Sequence, residues 1–192
     1  MIRQVTREEI YRNLAALGYA DNLAPYPLVL VGIRGYQAAQ GQNKRNVYDD
    51  AIVLLTDTIC QTFPANTDPS KRGLNPRIGK GYAVLKPGFY PSYRFDIHNG
   101  SKPHPAVCQR AAPVTVVRDG NGKEETGMLG INIHAAFGSS TSSEGCQTQP
   151  KKQYMEEFYP LAKSEAVRLF GERWDEQTIL YVLLDAANYQ LL

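Results

Sequence analysis

Residues 130–148, which read GINIHAAFGSSTSSEGCQT, decide how this chain is interpreted. The β-formers before the histidine predict a strand over Met128–Ile133 that ends at His134. Glycine, serine and threonine then form a flexible loop, and Cys146 lies near its end. A helix is predicted to start at Lys151. A loop of this kind can double back, so that His134 and Cys146 come together.

A cysteine beside a histidine is a candidate nucleophile, because a nearby imidazole lowers the pKa of a thiol and orients it. We therefore predict that Cys146 attacks and that His134 is its general base. Gly145 lacks a Cβ, so the backbone can turn sharply there and a substrate can approach. Backbone amides around Gly145 and Cys146 are expected to form an oxyanion hole, with Ser143 supporting the loop. The alternative of a plain turn next to a scaffold histidine stays open.

These residues resemble the signature of the L,D-transpeptidase catalytic domain, also called the YkuD domain. In that family a histidine and a small residue end a strand, and a loop leads to Ser/Thr-His-Gly-Cys. His134 and Ala135 match the first half, and Ser143, Gly145 and Cys146 match the second. The resemblance implies that the cysteine forms a thioester with the peptide stem of peptidoglycan and releases the terminal D-alanine. The acyl group then passes to an amine or to water, and no cofactor takes part.

The chain departs from the family pattern at three points. Cys146 follows His134 by 12 positions, where the family usually has several more. Glu144 replaces the second histidine of the motif, and Thr148 stands where asparagine or arginine is common. Substrate preference, and the balance between transfer and hydrolysis, are therefore not carried over. The close likeness covers only residues 130–148, as expected for a divergent member among phage lysis proteins or toxins delivered into rival bacteria.

The remaining sequence predicts a β-rich α+β fold, a β-sandwich or barrel. We expect one L,D-transpeptidase-like domain over residues 1–192, with an N-terminal helical appendage over residues 1–20. Short runs of β-formers between turn residues predict strands at Leu28–Ile33, Ala51–Thr56, Thr58–Phe63, Tyr82–Leu85, Tyr93–Ile97, Val114–Val117, Met128–Ile133 and Thr178–Asp185. Helices are predicted at Thr6–Leu17 and Lys151–Phe170.

Both helices carry apolar residues at helical spacing, which predicts one buried face on each. The first face comprises Val5, Ile10, Leu14 and Leu17. The second comprises Met155, Phe158, Leu161, Ala162, Val167 and Leu169. The three cysteines are an odd number, which argues against a fully disulfide-paired scaffold. Cys60 falls in a predicted strand, and Cys108 in a predicted loop.

Five further residues are predicted to contact substrate. Asp96 and His98 alternate along a strand, so both face the same side and are expected to line the cleft. Arg34 follows a buried strand, where it can hold a carboxylate of the stem or form an internal ion pair. Glu144 and Thr148 flank the cysteine and are expected on the substrate side.

Two other functions remain open from the sequence. His98, His104 and His134, with Asp96, are candidate zinc ligands of a metallopeptidase, although no HExxH pair supports that hypothesis. Alternatively, the chain is a non-catalytic wall-binding module of a virion. Survival of activity in EDTA, with loss on thiol alkylation, favours the cysteine enzyme over the zinc enzyme.

Charge and hydrophobicity limit the classes of partner that the sequence predicts. Charged residues make up 21% of the 192 positions, the net charge is +2, and no basic cluster indicates a nucleic-acid partner. No apolar run is long enough for a membrane span, and residues 1–20 lack the apolar centre of a signal peptide. We expect synthesis in the cytoplasm and action in the periplasm or cell wall after delivery or lysis. The expected partners are peptidoglycan stem peptides. An immunity protein and delivery machinery are further candidate partners.

Overall fold

The computed structural model describes residues 2–38 and 42–185. Helix α1, Arg7–Ala16, begins with the predicted capping box: the Thr6 side chain accepts from the Glu9 amide, and the Glu9 carboxylate accepts from the Thr6 amide. Gly18, with φ of 73°, follows the helix end. A 3₁₀ turn at Ala20–Asn22 leads into the first strand. The local sequence signals alone account for where this helix begins and ends.

Thirteen strands follow in the described part of the chain. They are β1 Val29–Arg34, β2 Asp50–Leu55, β3 Cys60–Ala65, β4 Leu74–Asn75, β5 Lys80–Gly81, β6 Ala83–Leu85, β7 Gly88–His98, β8 His104–Gln109, β9 Val114–Arg118, β10 Glu124–Gly127, β11 Ile133–Ala136, β12 Gln147–Pro150 and β13 Ile179–Asp185.

Eight of these strands form one sheet in the order β12-β11-β8-β7-β13-β1-β2-β3. The pairs β1–β13 and β11–β12 are parallel, and the other neighbours are antiparallel. The two edge strands meet, because Asn66 and Thr148 exchange backbone hydrogen bonds of 2.8 Å in both directions. The result is a nearly closed, barrel-like sheet. Smaller sheets, β10-β9-β6 and β4-β5, lie beside it.

Apolar side chains cover both faces of the central strands. One cluster includes the large side chains Leu30, Phe63, Tyr93, Phe158 and Tyr181. A second cluster places Val5, Ile10 and Leu14 from the N-terminal segment against Val31, Val53 and Val182. All six residues of β1 are buried, since both of its faces are covered, which explains its unbroken apolar run.

The helical segment after Cys146 packs on the first cluster. It starts as α2, Lys151–Gln153, passes through a π-helical turn at Tyr154–Phe158 and continues as α3, Tyr159–Phe170. The buried residues Tyr154, Phe158, Ala162 and Ala166 recur every four positions and form its packed stripe. The Tyr154 hydroxyl donates to the Ile133 carbonyl over 3.0 Å, which ties this segment to β11. Over residues 2–38 and 42–185, no helix has both the length and the apolarity that a membrane crossing requires.

The predicted β-rich fold with two helices is confirmed, but several local predictions are wrong. Strand β11 begins at Ile133, where the predicted strand ended, and His134 is its second residue. Cys108 is buried on β8, a strand that the sequence did not predict, rather than in a loop. The polar and proline residues of β8 hide its strand character, because tertiary pairing decides its conformation.

Two residues predicted on packed helix faces are exposed. Leu17 is the C-cap residue of α1, so it lies beyond the last helical turn and its side chain remains exposed. Val167 on α3 is also exposed, because the packed stripe runs through Ala162 and Ala166 beside it. Apolar character alone did not separate the packed face from its neighbours.

Candidate active site

Strands β11 and β12 place His134 and Cys146 on one face of the sheet. In their parallel register Ile133 is level with Gln147, and His134 is level with Thr148. Cys146 immediately precedes β12, two positions before Thr148, so its side chain points to the same face as that of His134. The Gln147 amide donates to the Asn132 carbonyl over 2.8 Å and fixes this register at its first step.

The two side chains line a common groove of about 380 Å³. Its lining also includes His98, Glu144 and Gly145. The predicted nucleophile and the predicted base are therefore brought to one open cavity, from adjacent strands.

The thiol of Cys146 is neutral at rest and is held by the backbone. Its sulfur donates to the Gly130 carbonyl and accepts from the Asn132 amide, each over 3.4 Å. Although the residue is partly exposed, burial raises the pKa of the thiol to about 11, and the Glu144 carboxylate adds to the rise. The Asn132 amide acts in the opposite direction, but burial outweighs it.

His134 is also neutral, and its tautomer is defined. Its Nδ1 lies 2.8 Å from the Ala135 carbonyl oxygen, which can only accept, so Nδ1 carries the proton. Nε2 is then unprotonated and able to take a proton from a thiol. Burial, followed by the neighbouring His98, lowers the pKa of His134 to about 3.

All three histidines of the chain meet beside the groove. The rings of His98 and His134 are stacked, with centroids 4.1 Å apart and planes 8° apart. The ring centroid of His104 lies 5.4 Å from that of His98 and 5.5 Å from that of His134, and its plane is tilted against both rings. Within the described residues, no group of three or more His, Cys, Asp or Glu side chains is arranged to hold a metal ion.

Gly145 lies against β6 in a space that a larger residue cannot share. A Cβ there would lie 2.8 Å from the Ala83 carbonyl oxygen and 3.0 Å from Cδ1 of Ile131. The close approach, rather than a turn, is what requires glycine at this position. The loop before the thiol is thereby pressed onto a neighbouring strand.

Ser143 holds the loop together, as its predicted supporting role requires. Its hydroxyl accepts from the Gly145 amide over 3.1 Å and donates to the Cys146 carbonyl over 2.6 Å. The Ser143 amide in turn donates to the Ser70 hydroxyl over 2.8 Å. Because the Gly145 amide is engaged by Ser143, it does not belong to an oxyanion hole. The amide of Cys146 itself is the remaining candidate donor.

Glu144 lies on the wall of the groove, where it contacts the segment around β4. Its carboxylate accepts from the Asn75 side-chain amide over 3.0 Å and pairs with the Arg77 guanidinium over 3.0 Å. Asn75 and Arg77 also line the groove, although the sequence did not single them out. Neither residue type carried a motif that could have indicated this role.

Three of the predicted substrate contacts lie elsewhere. Arg34 is buried and pairs with Asp68 over 3.2 Å, so the internal ion pair is the alternative that the structure adopts. Thr148 is fully buried at the seam between the edge strands. Asp96 is paired with Arg110 over 2.6 Å at the surface and does not line the groove.

His98 does line the groove, but its contacts are with protein. Its Nδ1 lies 3.0 Å from Nδ2 of Asn132, and its ring covers one face of His134. Asn132 was not predicted as a site residue. Its position two residues before His134 was the available signal, because alternate residues of an extended segment share a face.

No family model matches the sequence, and no curated protein gives a significant match. The geometry of the groove and the resemblance of residues 130–148 are therefore the features from which a function can be proposed.

Proposed function

We propose that this chain is a cysteine-dependent acyl-transfer enzyme of the L,D-transpeptidase type that acts on peptidoglycan stem peptides. One observation carries the proposal: Cys146 and His134 line the same open groove from adjacent parallel strands. The His-to-Cys motif and the β-rich, barrel-like sheet support the type. Access to the wall would come from lysis or from delivery machinery.

The reaction begins from a neutral thiol and a neutral imidazole. As the Cys146 sulfur attacks the stem carbonyl, its proton passes to Nε2 of His134. The carbonyl oxygen becomes an oxyanion, to which the backbone amide of Cys146 can donate a hydrogen bond. The carbon–nitrogen bond then breaks, and the departing amine takes the proton back from His134. The product of this half is a thioester on Cys146.

The second half restores the thiol. Water or an amine attacks the thioester carbonyl and gives a proton to His134, and the carbon–sulfur bond breaks. The thiolate then recovers its proton from the imidazolium. Because the pKa of the thiol is about 11 and that of His134 about 3, an ion pair does not accumulate at rest. Proton transfer must therefore accompany bond formation.

Arg77 is the cationic group that this proposal assigns to the stem. Its guanidinium is exposed on the groove wall and is paired with Glu144. Arginine binds carboxylates in bidentate fashion, so a stem carboxylate can replace Glu144 as its partner. In this proposal Glu144 keeps the arginine in place while the groove is empty.

The decisive experiment is incubation with purified peptidoglycan followed by mass analysis of the released fragments. Loss of D-alanine, a split crosslink and an exchanged amino acid give different masses, so the assay also identifies the bond. Cys146→Ser should abolish turnover while the protein stays folded, and His134→Ala should slow acylation steeply. Cys60→Ser is the matched control, because Cys60 is also a free, partly exposed cysteine.

Three outcomes would contradict the proposal. Full activity of Cys146→Ser would exclude the thioester. Activity that EDTA removes but thiol alkylation spares would support the zinc peptidase instead. Wall binding by Cys146→Ala, with no turnover by the wild-type protein, would support the binding module.

A further inference from the structure

We propose that Asn132 and His98 form a positioning pair that fixes the orientation of the His134 ring. In this pair Asn132 keeps His98 uncharged while His134 takes up a proton during the reaction. This inference rests on the proposed role of His134 as the base. Neither residue is assigned a bond to substrate. Their effect is exerted through the imidazole and the thiol that they contact.

The amide of Asn132 can adopt only one orientation. Its Oδ1 accepts from the backbone N–H of Gln109 over 2.9 Å, and a backbone N–H can only donate. Nδ2 is therefore turned to Nδ1 of His98, 3.0 Å away. Since Nδ2 can only donate, Nδ1 of His98 must accept. His98 is thus held as the neutral tautomer with its proton on Nε2.

The ring of His98 occupies the space that a side chain at position 100 would need, since a Cβ on Gly100 would lie 2.8 Å from Nε2 of His98. The ring lies parallel to that of His134, with centroids 4.1 Å apart. The hydrogen bond from His134 to the Ala135 carbonyl fixes the second ring at its edge. Together the stacking and the hydrogen bond restrict the orientation of the His134 ring.

Asn132 links the base to the nucleophile. Its side chain holds His98, which stacks on His134, while its backbone amide donates to the sulfur of Cys146. Its carbonyl accepts from Gln147 and sets the strand register. Asn132 therefore contacts Cys146 directly and is linked to His134 through His98.

The neutral state of His98 matters when His134 takes up a proton. A charged His98 would place a second positive charge against the imidazolium at stacking distance and oppose the transfer. The surroundings act in the same direction: burial first, and then His104 on β8 and Arg110 just after it, lower the pKa of His98. Nδ2 of Asn132 presents a hydrogen-bond donor to Nδ1 of His98, whereas a charged His98 would carry a proton on Nδ1 and would need an acceptor there.

Asn132→Asp tests this arrangement with little change in size. The new carboxylate still accepts from Gln109, but it offers an oxygen to Nδ1 of His98 and so favours the charged ring. We expect the pKa of His98, followed by NMR, to rise by at least one unit. Turnover at pH 7 should fall at least tenfold, and the acid limb of the pH profile should move to higher pH. Asn121→Asp, on an exposed turn, is the matched control.

His98→Phe in the Asn132→Asp background separates positioning from packing. Phenylalanine can stack on His134 but cannot become charged, so the double variant should recover at least part of the lost rate. A purely structural role predicts that the double variant is worse than either single one. That result, or an unchanged pKa of His98 in Asn132→Asp, overturns the inference.

A measurement on the wild-type protein keeps the test independent of how the variants fold. Long-range ¹⁵N correlation spectra report which nitrogen of His98 carries the proton, and a proton on Nδ1 overturns the inference. This readout does not depend on turnover. A wild-type protein that is inert towards peptidoglycan but has the Nε2–H tautomer would refute the proposed function and not the hydrogen-bond assignment.

Discussion

Replacement of Gly145 by alanine tests how tightly the backbone beside the thiol is packed. The new Cβ would lie 2.8 Å from the Ala83 carbonyl oxygen, 3.0 Å from the Ala83 Cβ and 3.0 Å from Cδ1 of Ile131. The nearest atom is backbone, and the Ala83 amide is itself bonded to the Glu144 carbonyl over 3.4 Å. Relief therefore requires the loop and β6 to separate by several tenths of an ångström.

Two effects follow from that separation. Overpacking of this kind costs about 1–3 kcal/mol of the free energy of unfolding. Because a misplacement of about 1 Å can cost roughly 10²-fold in rate, a smaller shift of the sulfur should lower turnover about tenfold. Urea unfolding measures the first effect, and release of peptidoglycan fragments measures the second.

Gly127→Ala is the matched control for this experiment. Its Cβ would meet Cδ2 of Leu129 at 3.5 Å, an ordinary contact, so stability should change by less than about 0.5 kcal/mol. If Gly145→Ala unfolds at the same urea concentration as Gly127→Ala and keeps the wild-type rate, the tight contact with β6 does not exist and the reasoning fails.

Three further predictions concern ionisable groups. Arg34→Ala leaves Asp68 buried without its partner and should cost about 3–5 kcal/mol in urea unfolding, whereas Arg110→Ala breaks an exposed pair and should cost at most about 1 kcal/mol. Equal losses would contradict the burial of Arg34. In the Cys60→Ser background, the rate of alkylation of Cys146 should rise about tenfold per pH unit from pH 7 to 10, because the pKa of its thiol is about 11. A rate that reaches a plateau below pH 8 would show that the thiol is already ionised and would contradict this prediction. Glu144→Gln removes a charge that raises the pKa of this thiol, so it should shift the alkylation profile to lower pH, by less than about one unit because the carboxylate is exposed and screened.

The elements that the sequence predicted well are those with local signals. Helix α1 has its capping box and its glycine stop, and β1 and β13 are apolar up to their last residues, Arg34 and Asp185. Each of these features is written in consecutive residues, so no knowledge of the fold is needed. The prediction that His134 and Cys146 come together was made in the same way, from residue types that suit one reaction, and both residues line one groove.

The elements that the sequence did not predict depend on distant partners. Strand β12 is polar and four residues long, and only its pairing with β11 and Asn66 makes it a strand. Strand β8 contains Pro105, which ordinarily argues against a central strand. The ladder between β8 and β11 joins Val107 to Ile133, and Pro105 lies outside it.

The environment of the site residues was equally hidden. His98 could be placed on a face by alternation, but its stacking on His134 depends on the register of β7, β8 and β11, and β11 is distant in sequence from the other two. Arg34 offered two outcomes from its sequence context. Asp68 and Thr67, which come from the segment after β3, decide between them by surrounding its guanidinium.

The register of the short ladder between β11 and β12, and not the length of the connecting segment 137–146, determines the face on which Cys146 lies. Side chains alternate between faces, so a slip of one residue along the ladder would turn Cys146 away from His134 altogether. The number of residues in the connection does not affect this phase as long as Gln147 stays opposite Ile133. Insertions or deletions near Ser139 would therefore leave the two candidate residues on one face, whereas deletion of Gln147, with the rest of β12 kept in register, would bring Cys146 opposite Ile133 and turn it to the other face.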